Sequence, residues 1–474
     1  MLSVNSKINL GGLLKKLISN VLKITFTLML LFAASSCSNS SPYHSLMLNN
    51  DTAPLYAQEG QEYQVHFQAL YKSNYKRIDQ IQDHITQSSI IETTQFLFGP
   101  LTNRSLGGVQ KGQKITLLRE KIYIEGGLVI IPYQYEGVWM LNRNKVSGDS
   151  LILPLPFSAD ELKKTNWLSC TDKNDEDHRT WSFLWYFWDP ERPGCQHRKN
   201  SEYQLVQVSF GTETEQTRET YPEYKNMIHM VNGIPTMAMT FAFGYVEDAE
   251  KPKPFQDSDY GAREFQKFYN QSKNILQSMG FSETPITQNQ FSSGNLKIGS
   301  LFTGNVDGTR FQVSIVAAAG VDQMDIFANS FAQRHEGFFG WFGHSRVGSG
   351  FDADNFKYIL NSNPQRFTMS SDYQLVYWAG CNSYSYYTLP FFELKANIEP
   401  IADPNGTKKL DIISNTLPSL FAFNSGNASI MLKTFLNTKE RSSYQSIIEQ
   451  ITKLAYSSRA EVIVNVLGDE DNAP

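Results

Sequence analysis

The chain has 474 residues, 41% of them apolar and 13% aromatic, with 19% charged residues and a net charge of −5. At roughly 100–200 residues per domain, this is material for two or three domains with real cores, and it excludes a disordered chain, a collagen and a coiled coil. No basic patch dominates, so no nucleic-acid partner is expected, and four cysteines exclude a disulfide-dense miniprotein.

Residues 1–36 carry Lys7, Lys15, Lys16 and Lys23 and no acidic residue. An apolar run from Ile24 to Ala34 follows, then Ser35-Ser36-Cys37. A basic start, a short apolar stretch and small residues before a cut site predict a secretory signal over 1–36. The run is too short to span a bilayer, which needs ~20 apolar residues. Cys37 directly after small residues resembles a bacterial lipoprotein box, although Ala34 stands where such boxes usually carry Leu. The resemblance implies that Cys37 is acylated and anchors the protein to a membrane. Ser38, rather than Asp, implies sorting to the outer membrane, with the protein facing the periplasm or the surface. Plain cleavage, or an uncleaved anchor, is the alternative. Residues 37–52 read as a Ser/Asn-rich tether.

From 53 to 250 the pattern is that of strands. Met237, Met239, Phe241, Phe243 and Tyr245 alternate with smaller residues, the period of a strand lying on a core. Ile115–Leu118, Leu128–Tyr135, Leu151–Leu155 and Tyr203–Phe210 read likewise. Glu125-Gly126-Gly127 and Asn232-Gly233 supply turns between strands. Many short strands in one run predict an antiparallel β-sandwich. Residues 251–295 read as a connecting helix and linker. Lys251–Pro254 breaks the strand pattern, Ala262–Met279 has helical spacing closed by Gly280, and 281–298 is polar and turn-rich.

From 296 to 474 strands alternate with helices. Phe311–Ala318, Phe338–Phe342, Tyr373–Ala379, Leu410–Ser414 and Val462–Val466 are the expected strands. Met324, Phe327, Phe331 and His335, and later Ile447, Ile448, Ile451 and Leu454, mark helices. This order predicts an α/β domain with a mostly parallel sheet and a site at the carboxyl ends of its strands.

Two strand ends carry chemistry. One reads Gly343-His344-Ser345, the other Gly380-Cys381-Asn382-Ser383. A thiolate is a strong nucleophile, and an imidazole within reach can take its proton and return it to a leaving amine. The pair FFGWFGHS and YQLVYWAGCNS resembles the caspase-like cysteine peptidases, which include caspases, legumain, gingipains and clostripain. In that group one strand ends in His-Gly and a later one in an Ala/Gly-Cys pair. The resemblance covers about 300–474. It implies a caspase-like fold, Cys381 as nucleophile and His344 as its acid/base partner. It also implies an oxyanion hole from the backbone N–H groups of Ser345 and Cys381, and a peptide or protein substrate. Ser345 departs from the family, which usually has Gly there. Arg346, Asp352 and Asn415 are the pocket candidates. For Arg346 and Asp352 the alternative is a solvated loop with a weak local ion pair.

Cys170 and Cys195 bracket a segment rich in Trp, Tyr and Phe. In an oxidising compartment they are expected to pair, contributing ~3 kcal/mol by loop closure. The alternative is a zinc site of Cys170, His178, Cys195 and His197, whose spacing fits no standard finger. Otherwise no cofactor is expected. Three functions stay open: a membrane-anchored cysteine endopeptidase; a non-catalytic binding or structural lipoprotein that uses a caspase-like scaffold and an aromatic-rich β domain; or a metalloprotein using Cys170, His178, Cys195 and His197.

Overall fold

The structure, a computed structural model, describes residues 55–109, 113–171, 184–246, 253–289, 295–318, 326–332, 336–345, 353–362 and 368–468. The first part of the chain forms β1 (Leu55–Ala57), β2 (Gly60–Lys72), α1 (Asp83–Thr94), α2 (Phe98–Asn103) and β3 (Gly107–Val109). It continues through β4 (Lys114–Leu117), β5 (Tyr123–Glu125), β6 (Leu128–Asn142), β7 (Ser150–Pro156) and α3 (Ala159–Leu162). Then come α4 (Leu184–Phe187), β8 (Tyr203–Glu213), β9 (His229–Val231) and β10 (Ile234–Gly244). The rest is α5 (Tyr260–Ser278), β11 (Ser282–Asn289), β12 (Asn295–Val306), β13 (Thr309–Ala318), β14 (Glu336–Phe342), α6 (Ala353–Ser362) and β15 (Gln374–Trp378). It closes with α7 (Ser383–Ala396), β16 (Leu410–Asn415), α8 (Asn424–Leu436), α9 (Tyr444–Ser457) and β17 (Val464–Leu467).

Two sheets organise these elements. The larger, ten-stranded sheet runs β1-β17-β16-β15-β14-β10-β13-β12-β11, with β9 beside β10. Its centre, β16-β15-β14-β10-β13, is parallel, and its flanks are antiparallel. Central strands bury both faces, so they read as almost continuous apolar runs. In β14, Phe338 and Phe342 enter one core, with Phe265 and Phe268 of α5 and Met431 of α8. Phe339 and Trp341 enter the other, with Phe356 of α6 and Phe391 of α7. Helix α5 is capped by the Asp259 side chain, which accepts from Ala262 N at 3.1 Å. Its stripe Phe265, Phe268, Ser272 and Leu276 is buried.

The seven-stranded sheet is antiparallel, in the order β3-β6-β2-β8-β7 with β4 and β5 along β6. In β2, Val65, Phe67 and Ala69 are buried while Gln64, His66 and Gln68 are exposed, the alternation of a half-solvated sheet. Its apolar face packs on Ile90 of α1 and Leu101 of α2.

The expected boundaries differ from this arrangement. Among the described residues, β2 to β8 make one antiparallel sheet backed by helices, not two stacked sheets as in a sandwich, while β1, β9 and β10 join the large sheet. Strand β10, expected in the first domain, sits near the middle of the large sheet between β14 and β13. Its second face carries Ala238, Thr240 and Ala242, which in sequence look like a solvent face but are small residues under a second layer. Within 251–295 the expected helix is present as α5, and Ser282–Asn289, expected as polar linker, forms the edge strand β11. Strand β11 reads as polar because an edge strand needs no continuous apolar face. Residues 48–474 form one compact unit. The helix expected around Met324–His335 contains a π-helical turn at Ala328–Ala332, and Met324 and His335 lie outside the described residues. No helix among the described residues is long and apolar enough to cross a membrane. Cys37 and residues 1–52 also lie outside the described residues.

Candidate active site at the carboxyl ends of the parallel strands

Numbered by their order in the chain, the five parallel strands are arranged 2-1-3-4-5. The path leaves β10 for β13 on one side, then returns to β14 on the other. In a doubly wound sheet, the crevice at such a reversal, outside the carboxyl ends, is where ligands bind. Here those ends are Gly244–Val246 after β10 and Gly343–Ser345 after β14. A Cβ on Gly343 would lie 3.0 Å from Gly244 Cα, so the two backbones meet only because both residues are glycine.

The β14–β15 ladder ends with Trp341 opposite Trp378. Beyond the ladder, the turn carrying His344 and the turn carrying Cys381 meet through Ser345 Oγ and Cys381 O. Ala379 N donates to Trp341 O at 2.8 Å, which carries the alignment one residue beyond the ladder. His344 Nε2 meets Val246 O at 3.2 Å, and its ring lies 4.9 Å, edge to face, from that of Phe421. The Cys381 thiol donates to Ser419 O at 3.4 Å. In the resting structure, then, the thiol is hydrogen-bonded to the loop after β16, and the imidazole faces the end of β10. Burial pushes the Cys381 thiol above its ordinary pKa, against the opposing pull of the Ser419 and Cys381 backbone groups.

Ser345, where the resembling family has Gly, is buried, and its hydroxyl donates to Cys381 O at 2.5 Å. The side chain thus ties the histidine loop to the cysteine turn. A Cβ on Gly380 would come within 2.5 Å of Ser345 Oγ. After Cys381 the chain turns through Asn382, which is left-handed (φ 48°), into α7. Asn382 accepts from Tyr186 Oη at 2.5 Å and donates to Thr416 O at 2.7 Å. Tyr186 belongs to α4, so the aromatic segment of the N-terminal region buttresses the cysteine turn. Sequence reasoning missed Val246, Ser419, Phe421 and the Tyr186–Asn382 contact. Only Asn382, adjacent to Cys381, carried a local signal.

Asn415, taken as a pocket candidate, is instead buried beneath the turn. Its N–H accepts no substrate-facing role, because it donates to Ser383 Oγ at 2.8 Å, and its side chain reaches Gly380 O at 3.5 Å. Arg346 and Asp352 lie outside the described residues.

Cys170 and Cys195 are joined by a disulfide, with Cα atoms 4.3 Å apart. Their sulfurs and His197 cluster within 4.8 Å, close enough in principle to hold a metal. The disulfide removes both thiolates that such a site would need. His197 is also engaged on both ring nitrogens, accepting from Trp188 Nε1 at 3.1 Å and meeting Thr165 Oγ1 at 2.8 Å. Burial lowers its pKa, against the opposing pull of the Glu202 carboxylate. The zinc alternative therefore does not fit the residues as they stand. His178 lies outside the described residues.

What the strand order and the two strand ends define is an α/β sheet with a parallel centre, a histidine at its switch point and a cysteine beyond the end of the next parallel strand. Compared with known proteins, the chain matches no family model, no curated protein and no solved structure.

Proposed function

We propose that the chain is an exported, lipid-anchored protein with a caspase-like cysteine endopeptidase site. The observation that supports this reading is the hydrogen bond from Ser345 Oγ to Cys381 O, which joins the turn carrying His344 to the turn carrying Cys381 beyond the ends of adjacent parallel strands. A peptide entering the crevice displaces Ser419 O from the thiol. His344 takes the thiol proton as sulfur bonds to the scissile carbonyl carbon. The C–N bond then breaks, and the imidazolium returns the proton to the leaving amine. Water, deprotonated by His344, cleaves the thioester, releasing the acid and regenerating the thiol. In this reading the backbone N–H groups of Ser345 and Cys381 hold the oxyanion, as the resemblance implies.

The test is hydrolysis of a fluorogenic peptide library by the full chain. Cys381→Ala and His344→Ala should each lower turnover by about 10³-fold or more. Unchanged turnover in Cys381→Ala overturns the reading. The buried thiol and its bond to Ser419 favour a second reading, a non-catalytic binding lipoprotein on the same scaffold. It is supported if no library member is cleaved and the alanine variants behave as the parent. Anchoring at Cys37 is checked separately: Cys37→Ala should move the protein from the membrane to the soluble fraction.

A further inference from the structure

Six non-glycine residues among the described ones have left-handed backbone, and of these Asn382 alone is buried. In an exposed turn such a backbone answers only to its neighbours in sequence. A buried one persists because its surroundings over-determine it, and residues of this kind gather at active sites. Around Asn382 every polar group is engaged. Its side chain accepts from Tyr186 Oη at 2.5 Å and donates to Thr416 O at 2.7 Å. Its N–H donates to Leu417 O at 3.2 Å, and its carbonyl accepts from Ser385 N at 2.9 Å. Tyr186 reaches this point from α4, 196 residues earlier in the chain. The N-terminal region holds the first turn of α7 at two further places. Tyr384 Oη donates to Glu62 Oε2 of β2 at 2.6 Å, and Tyr386 stacks on Phe98 of α2 with ring centres 6.2 Å apart. Cys381 directly precedes this clamp. The φ torsion of Asn382 turns the Cys381–Asn382 peptide, whose oxygen accepts from Ser345 Oγ. A return to negative φ would swing that peptide away from Ser345 and carry the thiol with it.

We infer that Asn382 and Tyr186 are positioning residues for the Cys381 thiol, so that the N-terminal region is a working part of the site. The effect on turnover rests on the peptidase reading; the effect on the thiol itself does not.

The experiment uses the full chain and three readouts: kcat and KM on a fluorogenic peptide, the iodoacetamide rate at Cys381 located by peptide mass mapping, and the thermal midpoint. Tyr186→Phe keeps the ring and removes only the hydroxyl. It should lower kcat by about tenfold or more with KM little changed, as a displaced nucleophile does. It should also raise the iodoacetamide rate, because a loosened turn uncovers the thiol. Asn382→Ala should do both more strongly. Asn382→Gly loses the same side-chain bonds but keeps left-handed backbone at no steric cost, and should retain more turnover than Asn382→Ala. Ile90→Val, in the core of the N-terminal sheet, should lower the midpoint alone and so shows what lost stability does by itself. A Tyr186→Phe protein that differs from the parent only as Ile90→Val does overturns the inference and leaves the peptidase reading standing. If the parent cleaves no peptide, the peptidase reading falls and the iodoacetamide rates decide alone. Raised in Tyr186→Phe and Asn382→Ala, they support the positioning; unchanged, they overturn it.

Discussion

Among the described residues the molecule has two cysteine–histidine neighbourhoods, and they differ in whether the sulfur is already bonded to another sulfur. Around Cys170, Cys195 and His197 the sulfurs are bonded to each other, and both ring nitrogens have partners at 2.8 and 3.1 Å. Around Cys381 and His344 the thiol's bond is 3.4 Å long, and Nε2 meets a carbonyl at 3.2 Å. The first pair sits among Trp188, Tyr203 and Phe96, a sealed aromatic cluster. The second sits beyond the carboxyl ends of adjacent parallel strands, next to the reversal of the sheet. The same two residue types are thus a staple in one place and a candidate reactive pair in the other. The covalent bond between the sulfurs in one and position in the topology of the other separate the two.

The largest expected effect breaks the closed pair. Replacing Cys170 and Cys195 by Ser opens a loop of sequence separation 25. It should cost about 3 kcal/mol in denaturant unfolding. If the two neighbourhoods are independent, iodoacetamide labelling of Cys381 stays within about twofold, since surface and core effects this far removed from a reacting group usually add. A larger change would show that the disulfide acts on the cysteine turn through Tyr186.

Gly380→Ala comes next. The new Cβ would meet Ser345 Oγ at 2.5 Å and Gly343 O at 3.1 Å. Overpacking of this kind should lower stability by about 2 kcal/mol and alter the Cys381 labelling rate. Loss of stability with unchanged labelling would detach the turn from the thiol's reactivity.

Ser345→Ala removes the hydroxyl bond to Cys381 O and should cost about 1 kcal/mol. Ser345→Gly adds backbone freedom at the position where the resembling family has glycine. Comparing the two by peptide turnover separates the tie from the room it occupies.

The smallest effect is a pH dependence. His197 has a lowered pKa in the folded protein, so the unfolded chain takes up a proton first as pH falls. Its contribution is therefore present above the ordinary histidine pKa of about 6.5 and is lost as pH falls below it. Thermal midpoints measured from pH 7 to 5 should fall, and His197→Gln should flatten the slope. An unchanged slope would place the acid sensitivity elsewhere.

Much of the large sheet was legible in sequence, because β10, β13, β14, β15 and β16 are apolar runs bounded by turns. The two strand ends were legible because Gly-His-Ser and Gly-Cys-Asn directly follow such runs. Membership was harder. Strand β10 precedes α5 and β11 in the chain, and strand alternation records which face is buried but not which neighbour a strand pairs with. Strand β1 shows the same limit: three residues at the start of the described chain pair with β17 at its end. Helix α7 was missed because it is apolar almost all round, with Tyr384, Tyr387, Phe391 and Phe392 all buried, and so shows no helical stripe. Asn415 was misplaced because a polar residue ending a strand looks like a pocket residue until its neighbours are known.

The register between β14 and β15 has a consequence for how the protein can be altered. Backbone rungs pair β14 with β15 from Phe338 and Leu375 to Trp341 and Trp378. That pairing is made by main-chain groups of the two strands and does not depend on the side chains of the segment between them. The crossover is in that sense a cassette: its sequence can be exchanged, in evolution or by grafting, while the two strands keep their partnership.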